Sequence, residues 1–230
     1  MTSSASPVTD FRPPARSVLR ICQSRWLVPV LVVTTAGFAA WLLTAPRSNA
    51  DLLKIAYSYS AGGYCALTDT GVPEDIYFDG VRILRRSRDG SSYCCGFTFL
   101  IAIRVAEQRG LLKNKAAFEV ARFQQECYGT SKSSAERQLV MALENLKIGK
   151  AIRPGEARPG DFIVYHRNFH SGHSAIFLDW LRRDGGVIGF KFRSSQNWTL
   201  GVADDVEYFV GSGHPDASVD PNRFYVGRLD

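Results

Sequence analysis

The sequence predicts an α+β domain in which a group of helices comes first and an antiparallel sheet follows. Between residues 94 and 149 the apolar positions recur at helical spacing, whereas after residue 160 they fall into short runs with strand-like alternation. A turn-rich stretch, Arg153-Pro154-Gly155, separates the two halves. Because helices and strands do not alternate, the pattern argues against a parallel βαβ fold.

The helical half is predicted to contain three helices. In the first, apolar residues from Phe97 to Val105 share one face, and Gly110 ends the run. The second is expected over about 115–128 and the third over about 133–149. Together they would form one layer of the domain.

The second half is predicted to form an antiparallel meander. A hairpin turn is expected at Arg182-Arg183-Asp184-Gly185-Gly186, because Asp-Gly pairs favour the turns that join adjacent strands. The predicted strands are 161–165, 173–180, 187–194, 206–210 and 224–227. These strands would supply the sheet on which the helices pack.

The first 45 residues predict a leader followed by a membrane or export segment. Residues 1–25 are polar and rich in Pro and Ser, which predicts disorder. Residues 26–45 carry no charge and are long enough to span a bilayer. Because Ser48-Asn49-Ala50 offers the small-residue pattern of a cleavage site, the segment is either a transmembrane anchor or a signal-peptide core cleaved near Ala50. Either way, the domain at 51–230 is expected outside the cytoplasm, either membrane-anchored or secreted or periplasmic.

The net charge of +6 does not indicate a nucleic-acid partner. Five basic residues and one acidic residue precede Asp51, which leaves 23 basic and 21 acidic residues in the remainder. A nucleic-acid-binding domain needs a clear basic excess on one face. The nearly neutral domain therefore argues against that class of function.

Two adjacent cysteines lie where a polar loop turns into the first predicted helix. Ser91 or Ser92 is a natural N-cap, which places Cys94 in the first turn, where free backbone N–H groups and the helix dipole favour a thiolate. Neighbouring residues on a helix point about 100° apart, so one of Cys94 and Cys95 would face a cleft and the other the core. The position at the helix start makes this pair the candidate nucleophile.

His173, at the start of a predicted strand, is the candidate base for this thiol. An imidazole can take the proton of a thiol and later protonate the leaving amine. A third polar group on the next strand would orient the ring. The alternation of strand 187–194, continued past its end, favours Gln196 for this role, with Ser195 and Asn197 as alternatives.

Three blocks of sequence together resemble a known superfamily. They are, in chain order, Cys94-x-Gly96-Phe97, Arg158-Pro159-Gly160-Asp161-Phe162 and Gly172-His173-Ser174-Ala175-Ile176-Phe177. The first is similar to the Cys-Ser-Gly-Phe/Leu motif of NlpC-like cell-wall cysteine peptidases. The second and third resemble the Pro-Gly-Asp turn and the histidine strand of that family and of the CHAP amidases. The resemblance covers about residues 75–210 and implies a papain-like fold, with Cys94 as nucleophile and His173 as base.

The resemblance implies an exported, thiol-dependent amide hydrolase that acts on peptidoglycan peptides and uses no cofactor. The chain departs from the family at Tyr93, where relatives have Asp, and at Cys95, where they have Ser. The upstream tyrosine that helps shape the oxyanion site has only Tyr59 or Tyr77 as candidates. These departures keep a second function open, namely a catalytically inactive binding module of the cell envelope with the same fold.

The remaining histidines and cysteines carry weaker signals. His166, His170 and His173 lack the spacing of a helical metal motif and have no nearby acidic or thiol ligand, so no metal site is predicted. Cys65 and Cys127 are either joined by a disulfide in an oxidising compartment or separately buried.

Overall fold

The computed structural model of the protein describes residues 49–65, 69–168 and 172–230. The predicted leader at 1–25 and the predicted membrane or export segment at 26–45 lie outside these ranges. Across the described ranges, no helix combines the length and the apolar character that crossing a membrane requires.

The domain is α+β, as predicted, with most helices before the sheet. Its helices are α1 (Ala50–Ser58), α2 (Cys94–Gln108), α3 (Ala117–Cys127), α4 (Lys132–Ala135) and α5 (Gln138–Leu146), with a short 3-10 helix at Pro154–Glu156. Its strands are β1 (Ala61–Gly62), β2 (Ile76–Phe78), β3 (Val81–Leu84), β4 (Gly149–Ile152), β5 (Phe162–Arg167), β6 (Gly172–Arg183), β7 (Gly186–Gln196), β8 (Gly201–Tyr208) and β9 (Val219–Leu229).

Seven of these strands form one antiparallel sheet in the order β1-β8-β7-β6-β5-β9-β4. Strands β5 to β8 follow one another as the predicted meander, and β9 returns beside β5. The turn between β6 and β7 has left-handed backbone at Asp184 (φ 50°) and Gly185 (φ 80°), as a tight hairpin turn requires. The hairpin of β2 and β3 forms a separate two-stranded sheet.

The sheet has an apolar cluster on each face, as the alternation of its strands dictates. Helix α2 is buried along almost its whole length and packs on β6 and β7. Phe162, Val164 and Ile176 point towards the helices. The second cluster contains Ile163, Tyr165, Ala175, Phe177, Phe190, Phe192, Val219, Phe224 and Val226. The helix that begins at the cysteines is therefore held rigidly between the sheet and the other helices.

At the end of α2 opposite the cysteines, a network of hydrogen bonds joins the helix to three distant parts of the chain. Its members, here called the Asn49 cluster, are Asn49, Asp51, Arg109, Asp161 and Arg228. Arg109 donates to both carboxylate oxygens of Asp51, at 2.6 and 2.8 Å. The Asn49 amide donates to Asp161 at 3.1 Å. Arg228 donates to both oxygens of Asp161, at 2.7 and 2.8 Å, and this carboxylate is fully buried. The fold thus includes Asn49 and Ala50, two residues ahead of the predicted start at Asp51.

Gly160, in the second of the three sequence blocks, has two reasons to be glycine. Its φ of +87° is a left-handed conformation, and a Cβ at this position would lie 2.4 Å from the Cβ of Asn49. The next residue, Asp161, anchors the Asn49 cluster. In this structure the Pro-Gly-Asp block therefore stabilises the domain and lies away from the candidate nucleophile.

Candidate active site

A cavity of about 640 Å³ opens at the start of α2 and is lined by all three predicted site residues, Cys94, His173 and Gln196. One wall comes from the helices and the loop before α2, and the other from the ends of β5, β6, β7 and β8. The other lining residues are Tyr64, Tyr93, Cys95, Tyr128, Ala135, Gln138, Arg167, Gly172, Asn197, Trp198, Glu207 and Ser218. The fold brings together residues that lie about a hundred positions apart in the sequence.

Cys94 lies in the first turn of α2, as predicted, and is the first residue of the helix, but neither Ser91 nor Ser92 caps it. The N-cap is Tyr93, in extended conformation, and the first hydrogen bond of the helix runs from Phe97 N–H to Tyr93 O at 2.9 Å. The Ser92 hydroxyl instead donates to the Ser195 hydroxyl at 2.9 Å. Cys94 therefore lies where the first-turn N–H groups have no partner within the helix.

The structure explains why residue 96, in the first sequence block, is a glycine. A Cβ on Gly96 would lie 1.9 Å from the carbonyl oxygen of Gly71, so the loop at Gly71 can approach α2 only if residue 96 has no side chain. The same carbonyl accepts a hydrogen bond from the N–H of Tyr93 at 3.2 Å. The glycine thus fixes the segment that presents the cysteines.

The pKa of the Cys94 thiol lies well below its usual range. The largest cause is a hydrogen bond from Cys95, whose sulfur lies 3.8 Å from that of Cys94. The charge of His173 and hydrogen bonds from the His173 ring and the Ser174 N–H act in the same direction, while burial opposes them. These causes favour a thiolate at Cys94.

Cys95 has the opposite character. Its side chain is 6% exposed, and its pKa is raised well above the usual range, first by the hydrogen bond to Cys94 and then by burial. The two cysteines therefore divide as their helical positions predict, with Cys94 partly exposed and Cys95 buried. Only Cys94 is suited to act as a nucleophile.

His173 lies at the second position of β6, directly opposite Tyr165 of β5. Its ring packs against the rings of Tyr165 and Phe192, with centroids 5.4 and 5.8 Å away. The ring is 7% exposed, and its Nε2 atom is buried with no hydrogen-bond partner among the described residues. The imidazole is thus held by aromatic packing, with one nitrogen available.

Gln196, the last residue of β7, lines the same cavity as His173. The Gln196 amide N–H donates to Asp205 Oδ2 at 2.9 Å, while its Oε1 is buried and has no partner in the described part of the chain. Gln196 Oε1 and His173 Nε2 are thus an unpaired acceptor and a possible donor on two residues that line one cavity.

Of the two alternatives to Gln196 for the orienting role, Asn197 lines the cavity and Ser195 does not. Ser195 faces the helix side of the sheet, where its hydroxyl donates to Ser92 O at 3.0 Å.

Tyr64, which the sequence did not single out, is the upstream tyrosine at the cavity. It is bridged to Ser92, two residues before Cys94, and its pKa is raised by burial and then by the charge of Cys94. Tyr59 instead donates to Glu74 at 2.8 Å, Tyr77 is half exposed, and neither lines the cavity. The signal that could have identified Tyr64 is its position directly after Gly62-Gly63.

A charged and aromatic group on the sheet wall was also missed. Arg167 and Glu207 form an ion pair in which each side chain is only 11% exposed. The Arg167 guanidinium lies 5.3 Å from the centre of the Trp198 ring, and Trp198 donates to Asp205 at 2.6 Å. This wall offers neutralised charges and an exposed, oriented indole to a bound molecule.

His166, Cys65 and Cys127 behave as ordinary structural groups. His166 donates from Nε2 to the Glu136 carbonyl at 2.9 Å, and His170 lies outside the described residues. Within residues 49–65, 69–168 and 172–230, no three His, Cys, Asp or Glu side chains form a possible metal site. Cys65 and Cys127 are both free thiols, so the disulfide considered from the sequence is not formed.

Comparison with models of protein families, with curated proteins and with solved structures finds no match to this chain.

Proposed function

We propose that the domain is an exported, thiol-dependent amide hydrolase, a divergent NlpC-like cysteine peptidase or amidase of papain-like fold. The observation that carries the proposal is that Cys94, at the start of α2, and His173, at the start of β6, line the same cavity, where the charge of His173 helps to lower the pKa of the Cys94 thiol. A thiolate at a helix start with an imidazole beside it is the arrangement that nucleophilic catalysis by cysteine needs.

In the first half of the reaction, the Cys94 thiolate attacks the carbonyl carbon of an amide. A carbon–sulfur bond forms and the carbon–nitrogen bond breaks, while the His173 imidazolium gives its proton to the leaving amine. The product is a thioester on Cys94 and a neutral His173. Because both side chains line one cavity, the His173 proton is on hand for a leaving group on the carbon that Cys94 attacks.

In the second half, water attacks the thioester and gives a proton to His173. The carbon–sulfur bond breaks, and a carboxylic acid, the thiolate and the imidazolium are formed. Transfer to another acceptor would follow the same steps with an amine or hydroxyl in place of water.

The oxyanion of the tetrahedral intermediate needs donors aimed at it. The backbone N–H of Cys94 is one, because it precedes the first hydrogen bond of α2. The Tyr64 hydroxyl is the second, since it lies at the cavity and its raised pKa keeps it protonated.

Gln196 is the proposed orienting group for His173. Its Oε1 would accept a hydrogen bond from His173 Nε2, two buried atoms with no other partner among the described residues. Asp205 fixes the other end of the amide. This gives Gln196 the role that an acid or amide plays in other triads.

We assign peptides of peptidoglycan as the substrate, with the membrane as a partner through residues 26–45 when that segment is not cleaved. The three sequence blocks, in the order found in cell-wall peptidases, support this assignment. The mixed tyrosine, tryptophan, amide and ion-pair lining of the cavity also suits a polar peptide.

A second candidate is a binding module that has lost the chemistry. Tyr93 favours it, because this residue replaces the Asp of the family and is buried, 5.6 Å edge-on from the Tyr128 ring. Such a module would bind the same peptides without cleaving them.

The test is the rate of Cys94 alkylation by iodoacetamide as a function of pH, measured on the full chain by peptide mass spectrometry. We expect a midpoint well below the ordinary thiol value of about 8.5. His173→Ala should raise the midpoint by about one unit or more, because it removes a neighbouring positive charge. His214→Ala is the matched control, since His214 stacks on Tyr208 outside the cavity, and it should change nothing.

A midpoint near 8.5 in the unmodified chain would overturn the hydrolase. If the midpoint is low, the next measurement is peptide cleavage. Cys94→Ala should reduce the rate of cleavage by about a thousandfold or more, while peptide binding persists. Binding without cleavage in the unmodified chain would favour the module.

A further inference from the structure

The buried Cys95 thiol lies between two possible hydrogen-bond acceptors. Its sulfur is 3.8 Å from the sulfur of Cys94 and 3.7 Å from Oε1 of Gln138. A thiol has a single proton to donate. It can therefore serve only one of these two acceptors fully at any time.

The protonation state of Cys94 decides which acceptor receives this proton. A Cys94 thiolate has no proton, so in that state the contact between the sulfurs requires Cys95 to donate. Cys95 keeps its proton because its hydrogen bond to Cys94, and then its burial, hold its pKa well above the usual range. It is therefore a donor throughout the pH range in which Cys94 titrates.

Gln138, the second possible acceptor for the Cys95 proton, has an unusual backbone conformation. It is the first residue of α5, it lines the cavity, and its φ of 37° is a left-handed conformation rare for a residue with a side chain. Such backbone strain persists only where the surrounding structure enforces it. Its Oε1 is available to Cys95 whenever Cys94 becomes a poor acceptor, as it does when its sulfur is acylated.

We propose that Cys95 is a positioning residue whose S–H donates to the Cys94 thiolate in the resting state and turns to Gln138 Oε1 when Cys94 carries an acyl group. This inference rests on the proposed function, because the acyl group is the intermediate of that reaction. In this arrangement Cys95 stabilises the nucleophile before attack and releases it afterwards, without itself forming a bond to the substrate.

The experiment compares the pH dependence of Cys94 alkylation in the full chain and in Cys95→Ala, Cys95→Ser and Gln138→Leu. In Cys95→Ala the midpoint should rise by about one pH unit, since a hydrogen bond to a charged group is lost, and labelling at pH 6 should slow about tenfold. Cys95→Ser keeps a donor of similar size and should stay within about half a unit of the unmodified chain. Circular dichroism checks that each variant is folded.

Gln138→Leu keeps the proposal testable should Cys95→Ala fail to fold. This variant removes the competing acceptor, so the Cys95 proton should favour Cys94 and the midpoint should fall. A midpoint that stays or rises in Gln138→Leu contradicts the proposal, as does an unchanged midpoint in folded Cys95→Ala.

The two proposals fail in different ways. If Cys94 in the unmodified chain is alkylated with the midpoint of an ordinary thiol, both the hydrolase and the role of Cys95 are contradicted. If the unmodified chain has a low midpoint that depends on His173 but not on Cys95, only the role of Cys95 falls.

Discussion

The two ends of helix α2 differ in how completely their polar groups are paired. At the N-terminal end, His173 Nε2 and Gln196 Oε1 are buried without partners among the described residues, beside the Cys94 thiol of low pKa. At the other end, about 22 Å away for a helix of 15 residues, the carboxylates of Asp51 and Asp161 each bind an arginine through both oxygens.

The difference is the one expected if the far end of α2 serves stability and the cysteine end serves the proposed chemistry. A buried polar atom without a partner costs stability, and natural proteins keep such atoms mainly where they have a function. A fully paired network rigidifies the fold but leaves no atom free to react. Substitutions in the Asn49 cluster should therefore lower the free energy of unfolding and leave Cys94 reactivity unchanged. Substitutions at the cysteine end should do the reverse.

The largest loss of stability is expected for Asp161→Ala. This change leaves Arg228 and Asn49 without their buried acceptor and should reduce the free energy of unfolding by about 3 kcal/mol. Urea unfolding of the full chain followed by circular dichroism measures it. Asp216→Ala, at a carboxylate with an 83% exposed side chain, is the matched control and should change stability by less than about 0.5 kcal/mol. A loss as small as the control's would show that the Asn49 cluster does not stabilise the domain.

A smaller loss is expected for Asn49→Ala. The variant removes the donor to Asp161 and the contact with Arg109, so the free energy of unfolding should fall by about 1 kcal/mol. The same unfolding measurement applies, and Cys94 alkylation should be unchanged because the substitution lies at the far end of α2. Altered Cys94 reactivity in this variant would contradict the separation of the two ends.

The smallest change in stability is expected for Gln196→Leu. It loses the bond to Asp205 but also removes an unpaired buried oxygen, so the free energy of unfolding should change by less than about 1 kcal/mol. Peptide cleavage should nevertheless fall about tenfold, with Cys94 labelling slowed at pH 6 more than at pH 9, because the His173 ring would lose the orienting partner proposed for it. A variant that is destabilised but fully active would assign Gln196 to the fold instead.

The sequence predicts the parts of this molecule that depend on local pattern. The meander, the hairpin at Asp184-Gly185 and the placement of Cys94 in the first helical turn follow from periodicity and turn chemistry. Strand alternation was sufficient to place Gln196 at the cavity. These features need no knowledge of distant contacts.

The features that the sequence did not predict depend on contacts between distant residues. Helix α1 is only nine residues long, and its start is fixed by the bond between Asn49 and Asp161, which are 112 residues apart. The expected caps failed because the Ser92 hydroxyl bonds across to Ser195. Tyr64 is held at the cavity by a segment that bridges to Ser92, 28 residues later in the chain. No local pattern contains such information.

The burial of Asn49 bears on whether folding of the domain or cleavage of the chain near Ala50 comes first. The bond between Ala50 and Asp51 lies in the first turn of α1, whereas a peptidase needs an exposed segment that can be extended. Cleavage at this bond must therefore precede folding or wait for a local opening of α1. Once the Asn49 amide has docked on Asp161, the folded chain is protected at that bond. If the segment at 26–45 is an export signal cleaved there, as we propose, the relative rates of folding and cleavage would decide between a tethered and a released product.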